Sequence, residues 1–410
     1  MPSILFIHEN YPAQFGILAD FLARKGWTVV YATQKEDIEI GKPIKTGDGV
    51  RVFRYAKSRE VSDGVHTYLR GTEKAVLNGQ GFARLGSALQ REGFNPDVVV
   101  AHSGWGSGSF AKVVWPDTKF VQYLEWWYRH PPVDIPRHES AKGSQEDKAA
   151  RVLVRNLPFL LDFQQSDLVI APTEFQAAQL PDFIRATTRI QHDGVDFEEF
   201  RPLRPEDTPF SYEGLPDDAP VVTFATRGME PARGFPTFMA AASQLLAQRP
   251  DVHIVVAGGS KAHYGPSPKG FDSWKDKALA EHSFDLSRLH FTGLLPKGDY
   301  ARLLRRSAVQ VYLTRPFVLS WSCVEALASA APMVATDVAP VREALPSEEF
   351  ARFVPMENAD RVVEELIWCL DHPTEARAMG LKAREQGIAR YDRKRSMDSL
   401  EKHFLSVIGS

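Results

Sequence analysis

The stretch from Arg315 to Ala335 joins a short polar turn to a helix that we expect to begin near Ser320. A helix N-terminus presents unpaired N–H groups and a partial positive charge, which suit a phosphate or a sugar. Glu325 follows inside this helix, where its carboxylate can accept hydrogen bonds from two neighbouring hydroxyls, as a ribose offers. These residues indicate a nucleotide site. The alternative is an ordinary capped helix, with Ser320 or Ser322 as N-cap and a solvated Glu325.

Two arginines, Arg227 and Arg233, lie after a predicted strand at 221–226 and before a predicted helix. Guanidinium groups form bidentate, charge-assisted hydrogen bonds with phosphates, so the pair suits a diphosphate. Gly258, in the turn after the next strand, and Gly16, between the first strand and the first helix, are further places where backbone can approach a ligand. The alternatives are surface arginines in a turn and glycines that only relieve crowding.

His102 ends a predicted strand at 98–102 and precedes a glycine-rich loop. A histidine at the carboxyl end of a strand is placed to reach a bound substrate, whereas a hydrogen-bonded structural role is the alternative. Glu125, Trp126 and Trp127 follow the next predicted strand, where the aromatic rings suit sugar faces or a lipid headgroup. Aromatic pairs are also common in ordinary packing.

Short β-branched runs alternate with amphipathic helical stretches, which indicates βαβ units around parallel sheets. In the first half, a helix is predicted at 14–25 and strands at 3–8, 28–32, 50–55, 98–102, 119–124 and 167–171. In the second half, a helix is predicted at 235–249 and strands at 221–226, 253–257, 289–292, 309–313 and 333–336. We therefore expect an α/β protein with two Rossmann-like domains whose parallel sheets face each other across a cleft, because open parallel sheets bind ligands beyond the carboxyl ends of their strands.

Length and composition agree with this organisation. The chain of 410 residues is too long for one ordinary core, and its charged fraction of 25% and net charge of −3 describe a soluble globular protein. No basic stripe suggests nucleic acid as a partner, and no apolar stretch is long enough to span a bilayer. The N-terminus has the pattern of a strand rather than of a signal peptide. Because Cys323 and Cys369 are the only cysteines, we expect a cytoplasmic protein, with peripheral contact to the inner face of the membrane left open.

Several segments resemble the retaining glycosyltransferases of family 4, which have the two-domain GT-B fold. The run S-D-L-V-I-A-P-T-E-F from Ser166 is similar to the family pattern A-D-x-V-I-A-x-S, and I-Q-H-D-G-V-D-F-E-E-F-R-P from Ile190 resembles I-P-N-G-V-D-x-x-x-F-x-P. Arg227 and Arg233 resemble the pair in G-R-L-x-x-x-K-G, with Arg233 standing for the lysine. The opening H-E-N-Y-P-A-Q-F-G and the turn P-F-V-L-S-W-S-C-V-E-A resemble one bacterial branch of the family.

The resemblance covers almost the whole chain and implies which residues bind the donor. The run F-T-G-L-L-P, which contains Leu294, resembles the F-x-G-x-x-P loop whose backbone contacts the nucleotide base. The family pattern Glu-x7-Glu keeps its second, ribose-binding glutamate as Glu325, but Phe317 replaces the first glutamate, which commonly lies beside the donor sugar. This replacement leaves the sugar and the details of catalysis open. The implied donor site comprises Gly16, Gly258, Leu294, Phe317, Ser320, Trp321, Ser322 and Glu325.

Composition and the resemblance together predict two domains, a linker and a C-terminal helix. They are an acceptor-side Rossmann-like domain at 1–200, a proline-rich linker at 201–220, a nucleotide-sugar-binding domain at 221–390, and a C-terminal helix at 391–410 that crosses back to the first domain. Residues 57–81 lack a strand pattern, and we expect them to form a mobile segment near the acceptor.

The implied reaction is hexosyl transfer with retention from a nucleotide-diphosphate-sugar, with UDP or GDP expected, to a hydroxyl of a carbohydrate, lipid-linked or small-molecule acceptor. His102, Arg227 and Arg233 are the expected catalytic residues, and Glu125, Trp126 and Trp127 are the expected acceptor-binding residues. No metal and no further cofactor are expected, because the arginines would balance the diphosphate charge and no convincing Asp-x-Asp motif occurs.

Two other functions remain open at this point. One is a sugar-nucleotide 2-epimerase or hydrolase on the same fold, which needs acid and base carboxylates around the sugar and is weakened by Phe317. The other is a catalytically silent sugar-binding subunit, which the presence of Arg227 and Arg233 disfavours.

Overall fold

Two open sheets of mainly parallel strands organise the chain, and each belongs to its own compact unit. The computed structural model describes residues 1–134, 143–263 and 265–409. The first unit comprises Met1–Asp193 together with Ser396–Ser410, and the second comprises Gly194–Arg395. Strands alternate with helices in both units, so the predicted α/β class with two Rossmann-like domains is confirmed.

The first unit alternates strands and helices over most of its length. The elements are β1 (Ser3–Ile7), α1 (Gly16–Arg24), β2 (Thr28–Thr33), β3 (Ile44–Lys45), β4 (Arg51–Arg54), α2 (Arg70–Arg91), β5 (Val98–His102), α3 (Ala111–Val114), β6 (Lys119–Tyr123), α4 (Gln145–Arg155), α5 (Leu157–Gln165), β7 (Leu168–Ala171), α6 (Glu174–Ala177), α7 (Asp182–Arg185) and β8 (Thr188–Ile190). The sheet order is β3-β4-β2-β1-β5-β6-β7-β8, and only the β3–β4 pair is antiparallel.

Helices cover both faces of the first sheet. Every residue of β5 is buried, as is typical of a parallel strand with helices on both sides. Leu18 of α1 packs on one face, in the core that contains Phe6. Phe82 of α2 packs on the other face, in the core that contains Leu5. The alternation of Leu5 and Phe6 between the two cores fixes which strand residues face which helix.

The second unit has its own parallel sheet, in the order β11-β10-β9-β12-β13-β14. Its elements are β9 (Val221–Gly228), a 3-10 turn (Pro231–Arg233), α8 (Phe235–Gln248), β10 (His253–Gly259), α9 (Trp274–Glu281), β11 (Leu289–Gly293), α10 (Lys297–Arg306), β12 (Val309–Tyr312), α11 (Trp321–Ala328), β13 (Met333–Thr336), α12 (Ala339–Ala344), β14 (Arg352–Val354), α13 (Ala359–Asp371) and α14 (Pro373–Tyr391). The five strands predicted for this half of the sequence are all present, and β14 adds an edge strand.

The last helix, α15 (Arg393–Ile408), packs against the first sheet. Its apolar residues Met397, Leu400 and Phe404 join the core around Phe6, and the rings of Phe6 and Phe404 are 6.4 Å apart. The Lys25 side chain, just after α1, donates a hydrogen bond of 2.8 Å to Asp398. Hydrophobic contacts and an ion pair therefore hold this helix on the first unit.

The segment 201–220, predicted to be a linker, instead belongs to the second unit. Phe210 and Leu215 are buried and pack in a core with residues of β9 and β10. Arg306 of α10 donates a hydrogen bond of 2.6 Å to the Phe210 carbonyl. The prolines give this segment the composition of a linker, but its two large apolar side chains anchor it to the sheet.

Residues 57–81 contain the start of α2, a helix that the sequence did not reveal. Glycine disfavours a helix interior, and Gly79 and Gly81 obscured the helical pattern. Both glycines are required by close packing, because a Cβ atom would lie 2.8 Å from the Gly106 carbonyl oxygen at Gly79 and 2.5 Å from the Ala56 carbonyl oxygen at Gly81. Within the described part of the chain, no helix is long and apolar enough to cross a membrane.

Candidate functional site

The turn that follows β12 begins α11 as the sequence predicted. Ser320 is the N-cap, and its Oγ accepts a hydrogen bond of 3.3 Å from the backbone N–H of Ser322. The two serine hydroxyls also form a hydrogen bond of 2.7 Å. The N–H of Ser320 donates to the Tyr312 hydroxyl at 3.2 Å, so the end of β12 fixes the start of the helix. The result is a helix N-terminus at the carboxyl edge of the second sheet.

Glu325 lies inside α11 and is partly buried. Burial raises the pKa of Glu325 to about 7, although the cations of Lys297 and Arg393 oppose that rise. The nearby Tyr300 has a pKa raised well above its ordinary value by burial and by the charge of Glu325. A carboxylate in this setting gains from any ligand that donates hydrogen bonds to it, because each bond favours the charged form.

Arg233 belongs to the same edge of the second sheet. Its Nη1 donates a hydrogen bond of 3.1 Å to Oγ1 of Thr314, in the turn between β12 and α11. The N–H of Thr314 in turn donates to Oγ1 of Thr336 at 2.9 Å. Gly234 permits this approach, because it has a φ of 67° and a Cβ atom there would lie 2.3 Å from Cβ of Leu313. Arg227 is exposed at the end of β9, on the same loop as Arg233.

Two glycines that we predicted to lie close to a phosphate, Gly258 and Gly16, are required by close contacts within the protein. Gly258 has a φ of 141°, and a Cβ atom there would lie 1.9 Å from the carbonyl oxygen of Thr226. At Gly16 a Cβ atom would lie 2.2 Å from Cβ of Pro12, whose carbonyl also accepts the N–H of Gly16 at 2.7 Å. The fold therefore requires glycine at both positions whether or not a ligand binds there.

The remaining predicted donor residues lie on loops after strands of the second sheet. Leu294 directly follows β11 and is 74% exposed. Trp321, the first residue of α11, is 43% exposed. Phe317 is half-buried in the turn before α11. The structure thus brings Arg233, Phe317 and the start of α11 onto neighbouring loops of the second unit.

In the first unit, the structure brings His102 and Glu125 together. His102 ends β5, and its Nε2 lies 3.3 Å from Oε2 of Glu125, which follows β6. Gln14 donates a hydrogen bond of 2.8 Å to the other carboxylate oxygen, Oε1. Burial alone would raise the pKa of Glu125, but His102 and Gln14 outweigh burial and lower it below its ordinary value. Glu125 is therefore held as a charged acceptor beside His102.

Two further polar residues, His8 and Glu9, lie in this part of the first unit and were missed by sequence reasoning. The rings of His8 and His102 are 4.8 Å apart, and the Asn10 N–H donates to Nδ1 of His8 at 2.8 Å. Burial and the neighbouring His102 lower the pKa of His8 to about 3, so His8 is neutral. Glu9 accepts a hydrogen bond of 2.8 Å from Asn78. Both residues directly follow β1. A polar residue at the carboxyl end of a predicted strand was the criterion that selected His102, and the same criterion would have selected His8 and Glu9.

Asp162 of α5 anchors the loop that follows His102. Its Oδ2 accepts a hydrogen bond of 2.8 Å from Ser103 Oγ, and its Oδ1 accepts one of 2.7 Å from Ser109 Oγ. Burial raises the pKa of Asp162 to about 6, although these two hydroxyls and the Gly104 backbone oppose the rise. No signal in the sequence pointed to Asp162, because it lies in a helix interior without a motif.

Trp126 is a buried packing residue in this structure, whereas Trp127 is partly buried. Trp126 is only 6% exposed, and its ring lies 6.1 Å from that of Phe175. Trp127 packs with Phe159 at 5.9 Å, on the core that contains Leu124. Burial leaves Trp126 little surface to offer an acceptor. Glu125 presents a carboxylate next to His102. Among residues 1–134, 143–263 and 265–409, no cluster of three or more His, Cys, Asp or Glu side chains is arranged to hold a metal ion.

Two family models match successive parts of the chain. The first, described as "Glycosyl transferase family 4 group", matches residues 25–200. The second, described as "Glycosyl transferases group 1", matches residues 219–372. The first match falls on the unit with His102 and Glu125, and the second falls on the unit with Arg233 and Glu325.

Individual proteins support the same relationship. The D-inositol 3-phosphate glycosyltransferase of Kineococcus radiotolerans is 26% identical over 398 residues, covering 90% of this chain and 85% of that protein. Sucrose-phosphate synthase from Thermosynechococcus elongatus superposes with a TM-score of 0.75 at 18% identity, covering 100% of both chains. A structure of Anabaena HepE in complex with UDP-glucose superposes with a TM-score of 0.66 at 15% identity, covering 99% of this chain and 100% of that one. At these identities the structural likeness concerns the fold alone.

Proposed function

Since the chain belongs to the family 4 glycosyltransferases and has the GT-B fold, we propose that it moves a sugar from a nucleotide-diphosphate-sugar to a hydroxyl acceptor. The transfer retains the configuration of the anomeric carbon. Arginine side chains, rather than a metal ion, neutralise the negative charge of the diphosphate. The observation that carries the proposal is the hydrogen bond from Arg233 to Thr314, which places a guanidinium group on the loop that begins α11.

The donor binds at the carboxyl edge of the second sheet. Arg233 and Arg227 neutralise the diphosphate, and the N-terminus of α11 contributes backbone dipoles of the same sign. Glu325 accepts hydrogen bonds from the ribose hydroxyls, which favours its charged form despite burial. The complex of Anabaena HepE with UDP-glucose supports a uridine or similar nucleotide as the carrier of the sugar.

The reaction breaks the bond between the anomeric carbon and the diphosphate oxygen and forms a bond from that carbon to the acceptor oxygen. Negative charge develops on the departing diphosphate, where Arg227 and Arg233 stabilise it because they are fixed before the reaction begins. The acceptor hydroxyl approaches from the face that the diphosphate leaves. Its proton passes to the departing phosphate oxygen, so the configuration is retained and no protein base is needed.

His102 and Glu125 are the proposed residues for the sugar and the acceptor. His102 contacts the transferred sugar, and Glu125 accepts a hydrogen bond from a hydroxyl of the acceptor. The acceptor is a carbohydrate, a lipid-linked sugar or a small molecule with a free hydroxyl. Trp126 supports this region by packing, and the partly buried Trp127 packs on the core that contains Phe159.

A two-stage experiment tests the proposal. Thermal unfolding is first measured with UDP, GDP, ADP and the corresponding monophosphates, and the diphosphate that raises the midpoint most identifies the base. The matching nucleotide-sugars are then incubated with candidate acceptors, and the anomeric configuration of the product is read by proton NMR. Stabilisation by a nucleoside diphosphate and a product with the donor's configuration support the proposal. A product of inverted configuration, or no stabilisation by any diphosphate, refutes it.

A further inference from the structure

The indole of Trp105 makes a specific hydrogen bond to His102. Trp105 Nε1 lies 3.0 Å from Nδ1 of His102. An indole N–H can only donate, so Nδ1 of His102 must be the acceptor and carry no proton. In a neutral imidazole the proton then lies on the other nitrogen, Nε2.

The surroundings of Nε2 agree with this assignment. Nε2 of His102 lies 3.3 Å from Oε2 of Glu125, and a charged carboxylate can only accept. The second oxygen of Glu125 is occupied by Gln14 at 2.8 Å, which keeps the carboxylate from turning away. An indole donor on one side of the ring and a carboxylate acceptor on the other side therefore favour the same tautomer.

One neighbouring group favours the opposite tautomer. The Ser103 carbonyl oxygen lies 3.2 Å from Nδ1 of His102 and would accept a proton carried there. If the indole N–H were removed, the Ser103 carbonyl would remain as an acceptor beside Nδ1, and it would favour a proton on Nδ1. The position of the proton on His102 therefore depends on Trp105 as well as on Glu125.

The backbone around Trp105 is held so that the indole stays in place. Asn78 Nδ2 donates to the Trp105 carbonyl at 2.9 Å. Gly106, the next residue, has a φ of 78°, and a Cβ atom there would lie 2.3 Å from the carbonyl oxygen of Ala75. Asp162 holds both flanks of the loop through Ser103 and Ser109. Trp105 is 39% exposed as a residue, so the position of its indole comes from this anchored loop rather than from complete burial.

We propose that Trp105 is a positioning residue that fixes the proton of His102 on Nε2, where it is donated to Glu125, so that His102 does not act as a base. Nε2 already carries a proton and Nδ1 is occupied by the indole, so His102 takes no proton from the acceptor. That proton remains for the departing phosphate oxygen. The role of His102 in transfer rests on the proposed function, whereas its tautomer does not.

The test uses the 410-residue chain with 15N-labelled histidine at about pH 8, where an ordinary imidazole is neutral. Side-chain nitrogen NMR distinguishes a protonated ring nitrogen from an unprotonated one, and a His102→Gln variant identifies the His102 signals by their loss. The test variant is Trp105→Phe, which keeps an aromatic ring and removes the N–H. The control is Trp27→Phe, which likewise removes an indole N–H, one that donates to Glu401 at 3.1 Å on the first unit.

The proposal predicts that wild-type His102 carries its proton on Nε2, that Trp105→Phe increases the population protonated on Nδ1, and that Trp27→Phe leaves the wild-type pattern unchanged. A wild-type His102 protonated on Nδ1 overturns the proposal without any variant, and so does an unchanged tautomer in Trp105→Phe. Because the measurement needs no substrate, a wrong assignment of the reaction leaves this result intact. In an active enzyme, Trp105→Phe should lower turnover without lowering the affinity for UDP.

Discussion

Arg233 donates a hydrogen bond of 3.1 Å to Thr314, and this contact joins the loop after β9 to the loop after β12 in the second unit. The two loops follow adjacent strands of one parallel sheet, so their residues meet at its carboxyl edge. The same contact places the arginine near the beginning of α11, where a helix dipole and Glu325 follow. The proposed donor site depends on this relationship.

Arg233→Ala should lower kcat/KM by about 10²- to 10³-fold, or roughly 3–4 kcal/mol, the range found when one pre-positioned donor to a developing anion is removed. Arg227→Ala should act in the same direction. Arg249→Ala is the matched control, because Arg249 pairs with Asp251 and Asp371 at the far end of α8. Steady-state rates with the identified donor are the measurement, and full activity in both Arg233→Ala and Arg227→Ala would remove the arginines from the mechanism.

Glu325→Gln should weaken binding of a nucleoside diphosphate and at the same time stabilise the unliganded protein. An amide accepts hydrogen bonds from the ribose less strongly than a carboxylate does. The folded-state pKa of Glu325 is raised to about 7, so the charged form costs folding free energy above that pH, on the order of 1–3 kcal/mol. Calorimetry with UDP and urea unfolding at pH 8 measure the two effects. Equal affinity for UDP in the variant and the wild type would leave Glu325 with a structural role only.

Nucleotide affinity should also depend on pH through Glu325. The carboxyl group takes up a proton as pH falls through about 7, and its hydrogen bonds to ribose then weaken. We expect the affinity for UDP to decrease from pH 8 to pH 6 in the wild type and to change less in Glu325→Gln. A parallel pH dependence in both proteins would assign the effect to another group.

Asp162→Asn should impair transfer while leaving nucleotide affinity unchanged, because Asp162 anchors the His102 loop in the first unit and UDP is expected in the second. Burial raises the pKa of Asp162 to about 6, so the wild-type anchor loses its charge as pH falls through that value. The wild-type rate should therefore fall below about pH 6, and Asp162→Asn should lack this acid limb. Exposed Asp182 supplies the control variant, Asp182→Asn. An acid limb that persists in Asp162→Asn would contradict the assignment.

Trp126→Ala should destabilise the protein rather than act selectively on the acceptor. Removal of a buried aromatic side chain typically costs about 3–5 kcal/mol. Urea unfolding of Trp126→Ala and of the milder Trp126→Phe gives the comparison, and the phenylalanine variant should lose much less. Unchanged stability in Trp126→Ala, with a defect only in transfer, would restore the predicted contact with the acceptor.

The strands were predictable because a buried parallel strand leaves a direct trace in the sequence. Val98–His102 consists of three valines, an alanine and a final polar histidine, and the structure has the strand with the same bounds. Helix α2 was not predictable, because the glycines that allow its close packing also weaken its helical pattern. The segment 201–220 was misassigned because proline content reports backbone stiffness and not whether Phe210 is buried.

The site was partly predictable for a similar reason. His102 ends a strand, Glu125 follows a strand and Glu325 lies in the second turn of a helix, and these positions can be read from the pattern of elements. Asp162 lies in a helix interior and accepts hydrogen bonds from Ser103 and Ser109, which are 59 and 53 residues away in the sequence. No local sequence pattern indicates such contacts. The hydrogen bond between Trp105 and His102 likewise depends on the backbone path of a glycine-rich loop. The sequence predicts a turn there but not the path of that turn.

The most direct test of the central claim measures the release of nucleoside diphosphate from a panel of UDP- and GDP-sugars. Mass spectrometry monitors the release in reactions with and without EDTA. We predict that at least one nucleotide-sugar yields its nucleoside diphosphate at a rate that EDTA leaves unchanged and that Arg233→Ala reduces about 10²-fold or more. Release that stops in EDTA, release that Arg233→Ala leaves intact, or no release from any nucleotide-sugar would contradict the account.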